Sequence, residues 1–406
     1  MIAPLVLAAA VSAPHQFSAL PLGAALQRAV AISPDVAQAR ERVNENLALL
    51  AAARGAAAPS LTLGYAAAPQ GGNANNTVEQ SLTTLGGSVV LGDYLTYLPA
   101  VREAQFTLAS AQYDLLAAQR TERVKVVGLY YDALKTAATV DLRNGDLAGA
   151  RSDLHAARVR FRAGDVPRLD VVRAEVALAN AQAAEDAARV DYENAQNALA
   201  VETGVPAASF GRVLPASGVP MVLPGPQQAI ARALAQRSDL ASAQQAVRAQ
   251  EAAVRVAQRA IFPGISVNAG YTEGIDSGIF VRGPSANVTV NVPVSHAASS
   301  RVAAERARLA QAQYKAASLE RQITVDVGAA ARTYAESVRA LVSARAARVA
   351  AEQQLHATEI GYRSGASSSL DVADARRTYV QAALNELTAI YTEAQAAATL
   401  EQEIGP

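Results

Sequence analysis

Cysteine and tryptophan are absent from this 406-residue chain, methionine occurs twice, and aromatic residues make up only 5%. The lack of cysteine excludes disulfides, thiolate metal sites and thiol catalysis, and it removes the usual acceptor for an N-terminal lipid. Neither sign of charge is in excess, with 36 basic residues against 36 acidic ones, and no basic tract is interleaved with aromatics. That balance argues against nucleic acid as a partner. Beyond the first 13 residues no run of 18 or more uncharged apolar residues exists that would cross a bilayer as a helix. Residues 1–13 read as the apolar part of an export signal closed by the small-x-small site Val11-Ser12-Ala13, although no Lys or Arg precedes the run and Pro14 follows it. The enzyme signatures are also missing. There is no H-E-x-x-H and no phosphate-cradling glycine loop, and Gly361-Tyr362-Arg363-Ser364-Gly365 misplaces the serine for a nucleophile elbow. The sequence therefore reads as a non-enzyme without a cofactor.

Proline is missing from residues 100–166, 168–205 and 294–405. An interior proline costs a helix about 3 kcal/mol, so these gaps are where long helices can run unbroken. A helix over about 99–162 reaches on the order of 95 Å at 1.5 Å per residue. What fills the gaps suits that reading: 51% of the chain is apolar, mostly alanine, which favours thin, closely packed helices.

The chain also says the same thing twice, about 201 residues apart. Phe161-Arg162-Ala163-Gly164, followed by Leu169-Asp170-Val171 and Ala174, returns as Tyr362-Arg363-Ser364-Gly365, followed by Leu370-Asp371-Val372 and Ala375. Earlier in each copy Asp35/Asp239, Val43/Val247 and Pro59/Pro263 correspond at an offset near 204. Coiled-coil spacing flanks the glycines, with Val140, Leu147, Leu154 and Phe161 before the first, and Leu169, Val172, Val176, Ala179 and Ala183 after it. Val380, Leu384, Leu387, Tyr391, Ala394 and Ala398 repeat the pattern in the second copy. Each copy thus predicts a long helical hairpin with a tight turn at Gly164 or Gly365.

Two segments have a different texture. Residues 60–67 and 85–91, and more cleanly 265–271 and 288–292, alternate apolar with small polar residues, the period of half-buried strands. Segments 70–77 and 273–284 read as the loops between them. Two hairpins make four strands, too few to close a barrel, and the open edges call for an oligomer. The predicted fold class is mainly α with a small transmembrane β part. Its organisation is a signal segment 1–13, a first repeat 17–210 (strand hairpin about 60–91, long helix about 99–162, return helix 167–203) and a linker 211–226. A second repeat covers 227–406 (strand hairpin about 264–294, long helix about 297–362, return helix 367–404).

The duplicated R-x-G turn with its L-D-V sequel, and the strand hairpins at matching positions, resemble the TolC family of outer-membrane channels over roughly residues 17–405. The resemblance implies a trimer whose twelve strands close one barrel in outer-membrane lipid. The helices continue it as a tunnel through the periplasm. Leu61/Leu63/Tyr65, Ile265/Val267/Tyr271 and Val288/Val290/Val292 then face lipid, and Thr62, Ser266, Asn268, Thr289 and Asn291 the lumen. It further implies a gate at the periplasmic end, to which the motif match assigns Asp371 and Asp374, with Asp170 as the first-copy partner and Tyr362 as a closed-state hydrogen-bonding residue. Three copies of each Asp in a narrow lumen repel, raise one another's pKa values and attract cations. Ser367 stands where a member with an arginine latch carries it. The turns, with Arg162, Gly164, Asp165, Arg363, Gly365 and Ser367, are implied contacts for a periplasmic adaptor that joins the channel to an inner-membrane pump.

The function implied is the passive exit duct of a tripartite efflux or type I secretion system. The alternative from another class is an exported trimeric coiled-coil protein, structural or adhesive and without a pore, which predicts no strands at 60–91 and 264–294 or strands packed on a soluble core. Asp371 and Asp374 also read as solvated coiled-coil charges, and Arg162 and Arg363 as neutralising the carbonyl ends of the long helices. His155 and His356 are equivalents across the duplication. They read as surface residues in preference to metal ligands, since no second ligand lies at i+4.

Overall fold

A computed structural model of the chain describes residues 21–56, 58, 60–70, 78–207, 225–276, 279–292 and 297–405. Eight helices and four strands follow one another as α1 (Leu22–Ile32), α2 (Pro34–Gly55), β1 (Ser60–Gln70), β2 (Val78–Val90), α3 (Leu91–Ala163) and α4 (Arg168–Thr203). The second copy supplies α5 (Pro226–Gln236), α6 (Ser238–Arg259), β3 (Gly264–Asp276), β4 (Ile279–Asn291), α7 (Ala297–Ser364) and α8 (Ser369–Ile404). The proline-free gaps are helical over nearly their whole length. α3 begins before Pro99 and carries that proline inside it. These elements form two compact units, one from residues up to 37 with 118–236 and 323–406, the other from 38–117 and 237–322.

The second of these units holds the sheet. Its order is β1-β2-β3-β4 and every neighbour is antiparallel, so the two copies meet where β2 pairs with β3. The register answers the period-two pattern. Leu61 lies opposite Gly87 and Leu63 opposite Leu85, Val89 lies opposite Val267, and Val267 and Ile265 lie opposite Val288 and Val290. Because successive side chains alternate between faces, this register collects the apolar positions of all four strands on one face. Ser266 opposite Thr289 and Asn268 opposite Asn287 populate the other, where Asn268 Nδ2 donates to Asn287 Oδ1 at 2.8 Å. The apolar face is not packed on a core: Leu61 and Leu63 are 79% and 78% exposed. Segment 273–284, expected as a loop, is strand as far as Asp276 and again from Ile279, because Glu273 pairs with Arg282 and Ile275 with Phe280 in unbroken register. The other expected loop, 70–77, falls outside the described residues after Gln70.

In the helical part of this unit Ser110 on α3 shares a 2.9 Å hydroxyl–hydroxyl hydrogen bond with Ser242 on α6. Gln250 Nε2 donates to Glu305 Oε2 at 2.5 Å, joining α6 to α7. Burial, and Glu305 beside it, push the Glu103 carboxyl up.

The first unit has a core where α1, α3 and α4 meet, made of Ala25, Ala29, Val126, Tyr130, Ala133, Leu134, Ala195 and Leu199. Alanines on α1 and α4 let the backbones approach, and Tyr130 fills the space they leave; its burial pushes the phenol up to about 12. Farther along, Leu147 and Ala150 of α3 pack on Ala181 of α4. The predicted seams fare differently in the two return helices. On α8 Val380 is buried and Leu384, Leu387 and Tyr391 are half-buried, whereas on α4 Leu169, Val172 and Val176 stand exposed, Val176 at 55%. The duplicated apolar stripe is therefore covered by the chain itself in one copy only.

Candidate functional site

Within the first unit the ends of α3 and α7 and the starts of α4 and α8 enclose a cleft of about 910 Å³. Both turns that shape it are built alike. Gly164 at φ 83° and Gly365 at φ 81° adopt the left-handed conformation that side chains disfavour. Each is followed by a six-to-one closing bond, Asp165 N to Arg160 O at 2.9 Å and Ala366 N to Gly361 O at 2.7 Å. Ser367 folds back over α7, its N–H bonded to Gly361 O at 3.2 Å, and a Cβ at position 361 would collide with its hydroxyl.

The helices restart differently. α8 opens with a capping box: Ser368 Oγ accepts from Asp371 N at 3.2 Å, while the Ser368 N–H and hydroxyl donate to Asp371 Oδ2, each at 2.8 Å. The backbone and side-chain donors of Ser368 hold the Asp371 carboxyl below the ordinary carboxylate value. In α4 the corresponding cap is Pro167, which has no hydrogen-bonding side chain to offer, and Asp170 sits 3.7 Å from Arg173 instead. Asp374 is held by Arg377 at 3.1 Å within its own helix.

Two arginines join the hairpins across the cleft. Arg160 of α3 places its guanidinium carbon 4.4 Å above the Tyr362 ring and donates Nη1 to the Tyr362 carbonyl at 3.4 Å. Arg376 of α8 donates Nη2 to Asp153 of α3 at 3.3 Å and to Glu359 of α7 at 3.2 Å, with Nε 3.0 Å from Asp153 Oδ2. This guanidinium lies against Gly149, where any Cβ would strike it. Burial pushes the Asp153 carboxyl up; Arg376 pulls against that, while Glu359 and Asp146 add to it. A three-helix tie of this kind turns one charge into contacts with two carboxylates, and losing it leaves both under-compensated.

Of the residues singled out in the sequence, Tyr362, Asp170, Asp165 and Arg363 line this cleft. Asp371 and Asp374 make the local bonds just described, Arg162 and Gly164 lie exposed on the first turn and Gly365 on the second. His155 and His356 are exposed, and among the described residues no group of three or more His, Asp or Glu could hold a metal. Arg160, Arg376, Asp153, Glu359 and Gly149 were not singled out. One signal in the sequence points to two of them: where the first copy has Arg158 and Glu175, paired at 2.8 Å, the second has Glu359 and Arg376, the same ion pair with its charges exchanged.

The sequence matches the outer membrane efflux protein family over residues 25–205 and 229–406, which takes in both copies of the duplicated unit. The chain belongs to the outer membrane efflux protein family. Efflux protein BepC of Brucella suis biovar 1 is 26% identical over 292 residues, covering 69% of this chain and 62% of BepC, so the chain spans about three-fifths of that relative's length. Nodulation protein T of Rhizobium leguminosarum bv. trifolii is 25% identical over 87% of the chain and 78% of its own length, and cobalt-zinc-cadmium resistance protein CzcC of Cupriavidus metallidurans is 27% identical over 74% and 70%. A solved structure of CusC superposes on the whole chain and on 99% of its own with a TM-score of 0.84 at 18% identity. The outer-membrane channel OprN gives 0.80 at 21% over 96% and 91%, and VceC of Vibrio cholerae 0.82 at 16% over 95% and 96%. At those identities the structures establish the TolC-like fold of this efflux protein, mostly helical with a small strand part and duplicated units. No helix among its described residues is long and apolar enough to cross a membrane. In a family of this kind the sheet is the element to examine.

Proposed function

We propose that three copies of the chain form a passive exit duct in the outer membrane, closed at the cleft and opened by docking of a periplasmic adaptor and an inner-membrane pump. The observation that carries this reading is the four-stranded sheet with one apolar, exposed face and two edges, β1 and β4, that pair with no other strand among the described residues. Three such sheets joined edge to edge make a closed twelve-stranded barrel, which satisfies every backbone group in lipid. The exposed stripe Leu169, Val172 and Val176 on α4 supports an oligomer as well, since a helix face of that kind finds cover on a neighbouring chain. The long helices stand in the periplasm.

In this reading Arg160 on Tyr362, and Arg376 between Asp153 and Glu359, are the ties that hold the periplasmic end shut. Asp371, Asp374 and Asp170 contribute the acidic ring at the gate. Arg162, Gly164, Asp165, Arg363, Gly365 and Ser367 present the turns to the adaptor. No observation favours the pore-less coiled coil.

The test is single-channel conductance of the purified protein in planar bilayers. Asp371→Asn/Asp374→Asn removes the charges while keeping a polar side chain at 371. Small cation-selective openings that lose their cation preference in this variant are expected. Openings with unchanged selectivity would move the acidic gate elsewhere, and no conductance from a detergent-extracted oligomer would refute the duct.

A further inference from the structure

The unit that carries the sheet has a second cleft, of about 460 Å³, where α3 and α6 run side by side. Its polar lining is strongly one-sided: Arg102 from α3 faces Arg248, Arg255 and Arg259 from α6, with Glu251 as the acidic residue among them. Arg248, Arg255 and Arg259 follow at intervals of seven and four, so α6 presents them on one face. Among the described residues Arg102, Arg248 and Arg255 have no ion-pair or hydrogen-bond partner, and Glu251 pairs with none of them. The rest of the cleft is apolar, lined by Leu98, Pro99 and Phe106. Like charges gathered without counter-ions around an apolar floor are costly unless something anionic occupies the space.

The position within the unit says what that is. α6 ends at Arg259 and β3 begins at Gly264, and in the short connection Ile261 and Phe262 are exposed. These two residues continue the apolar face of the sheet, which starts at Ile265 opposite Val290. At 1.5 Å per residue, Arg255 lies about one helical turn beyond Arg259, within the ~5–8 Å that separate the hydrocarbon boundary from the outer part of the headgroup layer. Arginines at that depth next to exposed apolar residues meet lipid phosphates, to which the guanidinium fork offers paired donors. The duplication sharpens the point. The residues of α2 equivalent to Arg248, Arg255 and Arg259 are Asn44, Ala51 and Gly55, so the basic cleft belongs to one copy and is not a consequence of the fold.

Resting on the outer-membrane duct reading, we propose that the α3/α6 cleft binds an anionic phospholipid of the leaflet adjoining the helices, its phosphate held by Arg102, Arg248 and Arg255 and its glycerol end and first methylenes on Leu98 and Phe106. Three sites per trimer anchor the barrel at a set depth.

Native mass spectrometry of the full-length oligomer, released from mixed micelles of equal phosphatidylglycerol and phosphatidylcholine, tests this. Wild type is expected to retain phosphatidylglycerol at least tenfold over phosphatidylcholine, and Arg102→Gln/Arg255→Gln to lose most of that preference while conducting as wild type does. Arg102→Lys/Arg255→Lys, which keeps the charge, is expected to retain part of it. No preference in a conducting wild-type oligomer would overturn the lipid site and leave the duct intact. So would displacement of phosphatidylglycerol by millimolar inorganic phosphate, which marks a site for free anions, or a changed ion selectivity in the Gln variant, which places the cleft on the duct lumen. A chain that neither needs detergent nor conducts would overturn the duct reading and this inference together.

Discussion

Glu122 offers the sharpest test of the first unit's energetics. It lies on α3 with only 5% of the residue exposed, and its Oε2 accepts the Ser33 hydroxyl at 3.0 Å. Its other oxygen has no hydrogen-bond partner and is buried. The groups around it are the Glu202 carboxylate of α4, with which it is within hydrogen-bonding reach, and Lys125, whose Nζ is committed to Glu202 at 2.6 Å. Asp35 adds its charge to the same cluster through Lys125. Two carboxylates facing each other are two acceptors, and only a proton between them makes a bond. Burial pushes the Glu122 carboxyl up, and Glu202 adds to that, against Ser33 and Lys125.

The sign follows by linkage. The folded state binds this proton more tightly than the unfolded state, so Glu122 contributes stability that is fully present below the unfolded carboxylate value and is lost as pH rises through the raised folded value. At neutral pH and above, the ionised group is a cost. Glu122→Gln keeps an acceptor for Ser33 and turns an N–H donor toward Glu202. A buried unsatisfied acceptor costs about 1–3 kcal/mol, so the variant should gain stability of that order at pH 8. At about 2–4 °C per kcal/mol for a cooperative unit of 150–250 residues, this is a rise in Tm of roughly 2–8 °C. Thermal unfolding by circular dichroism from pH 5 to pH 8 is the assay: wild type should lose stability across the range relative to the Gln variant, and the two curves should converge toward acid. Parallel curves, or a variant less stable at pH 8, would refute the account.

Removing the tie at the cleft, Arg376→Gln, is expected to cost about 3 kcal/mol or less, because Asp153 and Glu359 are only partly buried, and to enlarge single-channel openings. Charge exchange should separate the two halves of that tie: Glu359→Arg/Arg376→Glu rebuilds the pair in the sense of Arg158–Glu175, yet it sets a carboxylate at position 376 against Asp153. A double-mutant cycle should therefore show partial recovery, and full recovery would mean that Asp153 contributes nothing. Gly365→Ala places a Cβ at φ 81° and should destabilise the second hairpin by about 1–2 kcal/mol, read as a lower Tm with the helix content unchanged. Ser368→Ala removes the capping box and is expected to speed amide hydrogen exchange in the first turn of α8 roughly threefold to tenfold, while the equivalent Pro167→Ala leaves the first turn of α4 nearly unchanged, since no side-chain cap exists there to lose.

Elements whose cause is local were legible in the amino-acid order. The long helices follow from runs without proline, and α3 departs from expectation only where it extends back past Pro99, since a proline near a helix start removes little that was bonded. The turns at Gly164 and Gly365 follow from the need for a left-handed residue after a helix. The strands, and which positions share a face, follow from the period of two, because side-chain alternation is a property of the extended backbone itself. The loop expected over 273–284 was misjudged because its Gly, Ser and Pro content reads as a break, whereas ladder pairing to the neighbouring strand holds it extended.

Partnership across the chain was not legible in that way. Tyr362 was singled out from the motif, but its companion Arg160 lies 202 positions away, and Arg376 reaches Asp153 across 223. Ser33 meets Glu122 across 89. The apolar seams on α4 and α8 are written in the same periodic code, and only packing decided that one is covered and the other exposed. The amino-acid order by itself determined the duplication, the helices, the turns and the alternating strands, because each is set by neighbours a few bonds apart. The tertiary structure alone decided which charges meet, which carboxylate is buried and which arginines stand together around an apolar cleft, because those depend on how separate helices are brought side by side and shielded from water.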